Sequence, residues 1–362
     1  MRILHVTPFY EPFWAYGGMA RASAALCRAL AARGHEVTVA TALLGDGVPL
    51  EAVEGGVRVR RFRGPKALTR LLFPVARGFH TFLRAELRSF DVVHLQGHRN
   101  GLAVTASRVL SSARRPWLLT PAGTFPHHGQ YPLVKTLFDR LIGDRMVKSA
   151  HALVAVSESE ARDLPRPARV IPNGVEVCGS VPGKRGPHPR PRLLFVGSDR
   201  RQKRGHVLPQ LLSSFPEADL ELVGPAGPAF RRLFAPFGSR VTARGVLSRD
   251  DLAAAYASAD VVVHPAIGEA FGLVPFEAAF AGTPAVVAGG HGCGEWYGLA
   301  GGCVVPPDDV SALTEAVRRR LQDRDFAKEE ARRVSEFAQS RLTWSTAAAA
   351  FESVYGELRE RA

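Results

Sequence analysis

The stretch Val181-Pro-Gly-Lys-Arg-Gly-Pro-His-Pro-Arg-Pro191 separates the chain into two halves of similar organisation. Proline and glycine dominate it, and proline lacks a backbone N–H, so the stretch forms neither a helix nor an inner strand. On each side of it, strand patterns alternate with helical patterns, which predicts βαβ units and a parallel sheet. We expect a first domain over residues 1–172, a linker over 173–191 and a second domain over 192–342.

The strand and helix patterns place these units in more detail. In the first half, strands are expected at Ile3–Pro8, Glu36–Ala42, Val57–Phe62, Asp91–Gln96, Trp117–Thr120 and Ala152–Ser157, with helices near 19–33, 67–88, 99–112, 131–149 and 158–164. In the second half, strands are expected at Arg192–Val196, Leu220–Val223, Val241–Ala243, Val261–His264, Ala285–Ala288 and Cys303–Pro306, with helices near 205–214, 228–236, 249–258, 274–282, 309–322, 325–339 and 345–359. The predicted fold class is α/β, with two Rossmann-like, doubly wound domains facing a central cleft.

Composition limits the class of protein. The chain has 362 residues, of which 46% are hydrophobic and 22% charged, enough apolar material for two cores. No apolar run approaches the roughly 18 residues of a membrane-spanning helix, and a strand pattern begins directly at the N-terminus instead of a secretory signal. The cysteines lack CxxC spacing, which fits a reducing compartment and argues against a zinc site. We therefore expect a cytoplasmic protein, in solution or at the inner face of the membrane.

Positive charge is concentrated in the first half. The formal net charge is +13, and residues 1–172 hold 24 Lys/Arg against 12 Asp/Glu, whereas the remaining residues hold 23 against 22. Such a field favours an anionic partner: nucleic acid, an acidic membrane surface or a phosphorylated acceptor; a compositional arginine bias is the alternative. Because aromatic and basic residues do not interleave and no recognition motif is present, nucleic acid is not expected.

The segment Lys66–Phe90 combines large apolar residues with Arg70, Arg77, Arg84 and Arg88. A basic amphipathic helix of this kind can lie in an anionic membrane interface. It can equally pack its apolar side inward and present a solvated basic side. We expect an inward apolar face, with the arginines in peripheral contact with a membrane.

The strongest local motif is Glu269-Ala-Phe-Gly-Leu-Val-Pro-Phe-Glu277, which follows a predicted strand and leads into a helix. A helix start offers free backbone N–H groups and the positive end of a dipole, which suit a diphosphate. The two carboxylates can accept hydrogen bonds from sugar hydroxyls on one side and ribose hydroxyls on the other. Spacing alone leaves an ordinary helix with two surface acids equally open.

The motif resembles the E-x7-E motif of glycosyltransferase family 4, a retaining family of the GT-B superfamily. Further segments resemble that family in the expected order, from residue 2 to about 345. They are Tyr16-Gly17-Gly18-Met19-Ala20-Arg21, Arg33-Gly34-His35-Glu36-Val37-Thr38-Val39, Val156-Ser157-Glu158, Ile171-Pro172-Asn173-Gly174-Val175, Phe195-Val196-Gly197, Gly282-Thr283-Pro284 and Gly302-Cys303-Val304-Val305-Pro306-Pro307.

The resemblance implies roles for the residues of these motifs. Glu269 is expected to contact hydroxyls of the transferred sugar, as the catalytic-site carboxylate, and Glu277 to hold the ribose. Within the segment Phe271-Gly272-Leu273, assigned to donor binding, the backbone of the last two residues is expected to cradle phosphate. Gly17 and Gly18 are expected to let the first domain approach the donor without a side-chain clash.

Two departures from the family pattern concern the donor and the reacting sugar. Where the family has Gly-Arg followed by a lysine, this chain reads Gly197-Ser198-Asp199-Arg200-Arg201-Gln202-Lys203-Arg204, so Lys203 or Arg204 is expected to take the lysine role and Arg200 or Arg201 the arginine role. Where many members have a histidine, this chain has Ala122. The histidines His98, His127 and His128 lie nearby in sequence, as candidates or as ordinary loop residues.

The implied activity is a metal-independent, retaining hexosyl transfer from a UDP- or GDP-sugar, without another cofactor. We expect a surface polysaccharide or glycolipid product, and hence an acceptor that is lipid-linked or anionic. A natural-product glycosyltransferase and a sugar-nucleotide epimerase of the same two-domain shape are the alternatives. Asp323-Arg324-Asp325 is formally a DxD motif, but it falls in a late helical region, so we expect a solvated face there.

The C-terminal residues 343–362 read as one helix with a single apolar stripe. In the resembling family the terminal helix crosses back to the first domain. A stripe that carries Trp344, Phe351 and Tyr355 has to be buried, since each large side chain contributes roughly 1.5–3 kcal/mol when it leaves water. We therefore expect this helix to pack on the first domain.

Overall fold

The computed structural model describes residues 1–13, 17–65, 73–125, 131–176 and 189–360. These residues form two compact units. The first extends to Gly174 and also includes the C-terminal segment from Trp344, and the second comprises Val175–Thr343. Several residues singled out in the sequence lie outside the described part: Tyr16, Arg70, His127, His128, Cys178 and residues 181–188 of the linker.

Eight strands form the sheet of the first unit: β1 (Arg2–Val6), β2 (Glu36–Ala42), β3 (Glu51–Glu54), β4 (Val57–Phe62), β5 (Val92–Gln96), β6 (Trp117–Thr120), β7 (Ala152–Ala155) and β8 (Arg169–Val170). Their order is β3-β4-β2-β1-β5-β6-β7-β8, and every pair is parallel except β3 with β4. In the central strand β1, Ile3 lies opposite Val37 of β2 and Val92 of β5. Strand β1 is buried from Ile3 onward, as its continuous apolar run predicts.

The helices of the first unit are α1 (Gly18–Ala32), α2 (Phe79–Glu86), α3 (Gly101–Ser112), α4 (Pro132–Phe138), α5 (Asp144–Ser149) and α6 (Glu158–Asp163), with a π-helical turn over Asp139–Gly143 between α4 and α5. Side-chain caps begin two of them. Asn100 accepts a hydrogen bond from the backbone N–H of Ala103 at the start of α3, and Ser157 accepts one from Glu160 at the start of α6.

The helix expected near 67–88 is shorter than predicted. In the described residues it begins at Phe79, after Pro74 and after Gly78, whose φ of 77° is left-handed. Proline and a left-handed glycine both interrupt helical geometry, so the apolar periodicity of this segment overstated the helix. Phe79, Phe82 and Leu83 are buried in the core, as expected for an inward apolar face.

Strand β3 was not predicted. It forms an antiparallel hairpin with β4 through Gly55 and Gly56, both with positive φ. Its sequence Glu-Ala-Val-Glu has few β-branched residues and lies at the edge of the sheet, where charged side chains are tolerated. The pairing with β4, and not local propensity, therefore defines this strand.

The second unit contains a six-stranded parallel sheet. Its strands are β9 (Arg192–Val196), β10 (Asp219–Val223), β11 (Val241–Gly245), β12 (Val261–His264), β13 (Ala285–Ala288) and β14 (Cys303–Val305), in the order β11-β10-β9-β12-β13-β14. Its helices are α7 (Leu208–Ser213), α8 (Pro228–Arg232), α9 (Arg249–Ser258), α10 (Val274–Phe280), α11 (Gly292–Leu299), α12 (Val310–Gln322) and α13 (Arg324–Arg341). The two sheets confirm the α/β fold class with two doubly wound domains.

Helix α11 has no counterpart among the sequence predictions, because its sequence Gly-Cys-Gly-Glu-Trp-Tyr-Gly-Leu contains three glycines, which disfavour helix. Packing overrides this propensity. Cys293 and Tyr297 are fully buried, and the Tyr297 hydroxyl accepts a hydrogen bond of 2.9 Å from the backbone N–H of Ala285. A Cβ on Gly294 would lie 2.9 Å from the Cα of Gly289, so the glycine permits this close approach.

The last helix, α14 (Trp344–Glu360), belongs to the first unit. Its buried residues are Ala347, Ala348, Phe351, Val354, Tyr355 and Leu358, which share one core cluster with residues of β1, β2 and α1. The Tyr355 hydroxyl lies 2.9 Å from Nδ1 of His94 in β5, and Glu352 forms an ion pair with Arg33. The apolar stripe of this helix thus packs against the sheet of the first unit.

Among the helices of the described residues, we find none that combines the length and the hydropathy needed to cross a bilayer.

Candidate functional site

Two loops meet at the carboxyl edge of the second sheet. One follows β9 and the other follows β12, and these strands are neighbours, with Leu193 opposite Val261. The backbone N–H of Ile267 in the second loop donates a 2.8 Å hydrogen bond to the carbonyl of Gln202 in the first. This contact fixes Lys203 beside Glu269, two residues that are 66 positions apart in the sequence. Ligands of open α/β sheets bind at such an edge.

Glu269 is held as a carboxylate. Its Oε1 accepts a hydrogen bond from the Lys203 ammonium, and its Oε2 lies 3.5 Å from Nε2 of His264, the last residue of β12. Burial alone would raise the pKa of the Glu269 carboxyl, but the neighbouring Lys203 ammonium and His264 imidazole outweigh burial and hold the pKa well below its ordinary value. Glu269 is therefore an ionised hydrogen-bond acceptor at neutral pH, with its side chain 13% exposed.

Glu277 lies in the first turn of α10, eight residues after Glu269, and is buried. The hydroxyl of Tyr256, in α9, donates a 2.8 Å hydrogen bond to Oε2 of Glu277. Tyr256 is itself fully buried, so this partner fixes the carboxylate's orientation. Neither helix propensity nor the E-x7-E spacing indicated Tyr256; a tyrosine in an otherwise alanine-rich helical segment was the available signal.

The residues between the two carboxylates differ in what they present. The Phe271 side chain is buried and stacks on Phe276 with ring centroids 5.6 Å apart, so only its backbone is available to a ligand. Gly272 has a φ of 78°, and a Cβ there would collide with Cys293, so glycine is required. The Leu273 carbonyl accepts hydrogen bonds from the backbone N–H groups of Phe276 and Glu277, which begins helix α10.

The four cationic side chains of the basic loop after β9 differ in exposure and in their partners. Arg200 and Arg201 are exposed, whereas Lys203 is half-buried against Glu269. Arg204 has a left-handed φ of 53° and turns its guanidinium to Asp308, at 2.8 Å. The one-residue ambiguity in the sequence is thereby resolved in position: Lys203, and not Arg204, lies beside Glu269.

Within the described residues, Glu269 belongs to one trio of potential metal ligands. Ligand atoms of His264, Glu269 and Cys293 lie within 4.8 Å of one another. The cysteine spacing pointed away from a zinc site, and this convergence of strand, loop and helix α11 cannot be derived from sequence separation. Lys203 already donates to the same carboxylate, and burial raises the pKa of the Cys293 thiol well above its ordinary value, so both oppose metal binding. Asp323 and Asp325 of the formal DxD are exposed, and Asp323 caps α13 by accepting from the backbone N–H of Phe326.

Gly17 and Gly18 lie in the first unit, at the start of α1. Gly17 has a φ of 91°, a conformation that favours glycine. A Cβ on either residue would meet no atom of the described chain within 4 Å. Internal packing therefore does not require these glycines to lack side chains. The backbone conformation already favours glycine at position 17, and for Gly18 close approach of a ligand remains the expected reason.

The loop after β6 replaces the family's histidine with Ala122, which has a left-handed φ of 52°. His98 does not substitute for it. Its ring is completely buried, with Nδ1 2.7 Å from the Thr124 hydroxyl and Nε2 3.2 Å from Oδ1 of Asp139. Asp139 also forms an ion pair with Arg99. His98 therefore has a structural role, because its buried ring stabilises the loop through hydrogen bonds to Thr124 and Asp139.

Glu160 is a second support of this loop that sequence patterns did not reveal. Its carboxyl group accepts hydrogen bonds from the backbone N–H groups of Gly123, at 2.6 Å, and Val156, at 2.9 Å. Burial raises the pKa of Glu160 to about 7, although both hydrogen bonds oppose that shift.

Comparisons with known proteins agree with this architecture. Residues 17–174 match the model of the glycosyl transferase 4-like domain, and residues 190–323 match that of glycosyl transferases group 1. The chain is 30% identical over 395 residues to a glycogen synthase of Mycobacterium tuberculosis (strain CDC 1551 / Oshkosh), covering 98% of this chain and 94% of the relative. It is also 30% identical over 420 residues to a D-inositol 3-phosphate glycosyltransferase of Xylanimonas cellulosilytica, covering 100% and 97%.

Among solved structures, Anabaena Alr3699/HepE in complex with UDP and glucose superposes with a TM-score of 0.74 and 18% identity, covering 99% of this chain and 100% of the other. Two doubly wound domains with a carboxylate pair at the second sheet's edge define a glycosyltransferase of GT-B architecture. The chain belongs to the family 4-like glycosyltransferases, which carry these two domains in this order.

Proposed function

We propose that the second unit binds a nucleotide-sugar donor between Glu269 and Glu277. The observation that carries this proposal is the pair of oriented carboxylates: Lys203 keeps Glu269 ionised, and Tyr256 fixes Glu277 eight residues further on. Ionised, oriented carboxylates are strong acceptors for vicinal hydroxyl groups. Glu269 contacts hydroxyls of the transferred sugar, and Glu277 holds those of the ribose.

The diphosphate lies between these two carboxylates in the proposed complex. The backbone of Phe271, Gly272 and Leu273 supplies N–H donors, and Lys203 supplies the closest positive charge. Arg200 and Arg201 replace the guanidinium that is missing at Ser198, since both follow β9 and have exposed side chains that can reach a ligand. Arg204 stabilises the loop through Asp308. These groups offset the charge that develops on the leaving diphosphate without a metal ion.

The proposed reaction is a retaining transfer. The bond between the sugar's anomeric carbon and the diphosphate oxygen breaks, and the acceptor hydroxyl forms a new bond on the same face. The acceptor proton passes to the departing phosphate oxygen, so no protein base is needed. The position of Ala122, which carries no titratable group, is compatible with this route, and the change from histidine then alters the choice of sugar or acceptor.

The first unit supplies the acceptor side in the proposed reaction. Its excess of basic residues favours an anionic or lipid-linked acceptor and peripheral contact with an anionic membrane, as in the synthesis of a surface polysaccharide or glycolipid. The Xylanimonas relative is named for D-inositol 3-phosphate, a phosphorylated compound, which supports an anionic acceptor. HepE holds UDP and glucose, which supports the proposed donor.

The proposal is tested with a panel of UDP- and GDP-sugars, measuring release of the nucleoside diphosphate and the identity of the sugar product. We expect slow donor hydrolysis with one or a few members, and no epimerised nucleotide sugar. Lys203→Met should reduce that hydrolysis strongly, whereas Lys328→Met, the same change at an exposed lysine of α13, should leave it unchanged. An epimerised product, or no reaction with any donor, would overturn the proposal.

A further inference from the structure

Exposed apolar side chains concentrate in one short segment of the first unit. The described residues include eleven large hydrophobic side chains that are exposed, and five of them fall within 131–141. They are Tyr131 (66% exposed), Leu133 (83%), Val134 (66%), Leu137 (59%) and Leu141 (69%). The other six occur singly or in pairs along the chain. Soluble domains seldom expose so many neighbouring apolar groups unless the surface has a partner.

This segment, α4 and the π-helical turn after it, is fixed to the core at its C-terminal end. Asp139 is 4% exposed and pairs with Arg99 at 2.6 Å. The Phe138 ring lies 6.5 Å from the ring of His98, and Met146 in α5 belongs to the core. The segment is therefore anchored at Asp139 and through α5, whereas α4 itself contains no buried residue.

Three exposed cations lie in the same helical region as the exposed apolar residues: Arg140, Arg145 and Lys148. Of the two acidic residues there, Asp139 points inward and is neutralised by Arg99, and Asp144 is half-buried. Leucines flanked by exposed arginine and lysine are typical of a helix that lies in the interface of an anionic bilayer, with the apolar side chains inserted and the cations at the headgroups.

The charges also make a second copy of this chain an unfavourable partner for this surface. A symmetric dimer through this face would bring Arg140, Arg145 and Lys148 of both copies together, and like charges at a contact are unfavourable. An anionic lipid surface instead neutralises them. We propose that residues 131–148, which we call the docking helix, insert the first unit into the headgroup region of an anionic membrane. This inference rests on the proposed membrane contact and assigns that contact to the docking helix.

The test is sedimentation of the full-length protein with vesicles of phosphatidylcholine containing phosphatidylglycerol, and with phosphatidylcholine alone. We expect binding to the anionic vesicles, weakened roughly tenfold or more without phosphatidylglycerol. The double variant Leu133→Ser/Leu137→Ser should bind about tenfold more weakly or worse. The matched variant Leu233→Ser/Leu299→Ser removes two exposed leucines of the second unit and should bind as the parent does.

Donor hydrolysis in the absence of vesicles separates this inference from the proposed reaction. We expect Leu133→Ser/Leu137→Ser to hydrolyse the donor at the parent rate, so a loss of vesicle binding alone supports the docking helix. Vesicle binding that is unchanged in this variant would overturn the inference. So would self-association through this face, seen as a dimer by light scattering that the same variant abolishes, in a protein that does not bind vesicles.

Discussion

The hydroxyl of Tyr256 donates a hydrogen bond of 2.8 Å to Oε2 of Glu277, and both side chains are buried. The tyrosine comes from α9 and the glutamate from the first turn of α10, so the bond links two helices on one side of β12. A buried carboxylate with a fixed donor has a defined set of remaining acceptor positions. This is the arrangement required of a residue that binds two neighbouring ribose hydroxyls.

Replacement of Glu277 tests that role. Glu277→Ala removes the proposed ribose contact, and we expect donor binding to weaken by about 2–4 kcal/mol, since charge-assisted hydrogen bonds are lost. Tyr256→Phe leaves the carboxylate but frees its orientation, and should cost about 1 kcal/mol. Calorimetric titration with the donor measures both, and Glu315→Ala, at an exposed glutamate, is the control. Unchanged affinity in Glu277→Ala would show that the ribose lies elsewhere.

Metal independence is the second prediction, and the trio His264, Glu269 and Cys293 makes it a stringent one. We expect transfer to continue in excess EDTA, because Lys203 and backbone N–H groups supply the positive charge. Cys293→Ala removes one potential ligand and should respond to EDTA as the parent does. Activity that chelation abolishes, and that Mn²⁺, Mg²⁺ or Zn²⁺ restores, would contradict the proposed chemistry.

The pH dependence of stability follows from His5, which is fully buried in β1. Burial lowers the pKa of His5 to about 4, against an ordinary value of 6.5, although its hydrogen bond to Gln96 opposes this shift. Above pH 6.5, His5 is neutral in both the folded and the unfolded chain. As the pH falls from 6.5 towards 4, the unfolded state binds the proton first, so this contribution to stability is lost in that range.

We therefore expect the His5→Gln variant to lose less stability on acidification than the parent. The difference between their free energies of unfolding should change by roughly 3 kcal/mol between pH 7 and pH 4, the equivalent of the pKa shift. Comparing the two proteins cancels titrating groups that do not contact His5, such as Glu160, whose raised pKa acts in the opposite direction. Urea denaturation at stepped pH provides the measurement. Parallel curves would mean that His5 is not held neutral in the folded chain.

Local patterns were sufficient for most of the sheet and for the placement of the carboxylate pair. Buried strands such as Val261–His264 and Ala285–Ala288 have the predicted bounds because short valine-rich runs between turns leave little choice. Family-level motifs then placed Glu269 at the carboxyl edge of such a strand.

Partners that come from distant segments could not be predicted in the same way. Tyr256 and Glu277 are separated by a complete strand and loop, and Lys203 and Glu269 by 66 residues. No periodicity relates these positions, because strand order and loop conformation bring them together. The exposed apolar side chains of α4 could not be predicted for a related reason: the sequence indicates a helix near 131–149, but not that Leu133 and Leu137 face solvent.

The C-terminal helix provides the fourth prediction. Deletion of residues 343–362 removes Phe351, Tyr355 and Leu358 from the core of the first unit, together with the hydrogen bond between Tyr355 and His94. Each large buried side chain contributes roughly 1.5–3 kcal/mol, so we expect the first unit to be strongly destabilised and transfer to be lost. Hydrogen exchange should show deprotection in β1, β2 and β5.

The same hydrogen-exchange experiment can contradict this prediction. Deprotection confined to residues 192–342, with residues 1–172 unaffected, would show that the helix stabilises the second unit. The single variant Tyr355→Phe retains the apolar contacts and removes the hydrogen bond to His94, so it should lose about 1 kcal/mol and remain folded. It serves as the folded reference for the truncated chain.

A crystal structure of the full-length protein with the donor selected by the panel tests the central claim most directly. The account predicts ribose hydroxyls about 3 Å from the carboxylate oxygens of Glu277 and sugar hydroxyls at the same distance from Glu269, with Lys203 beside the diphosphate. In that complex Tyr256 should still donate to Glu277, since its role is to orient the carboxylate. A donor whose ribose lies away from Glu277, or whose sugar makes no contact with Glu269, would contradict the account.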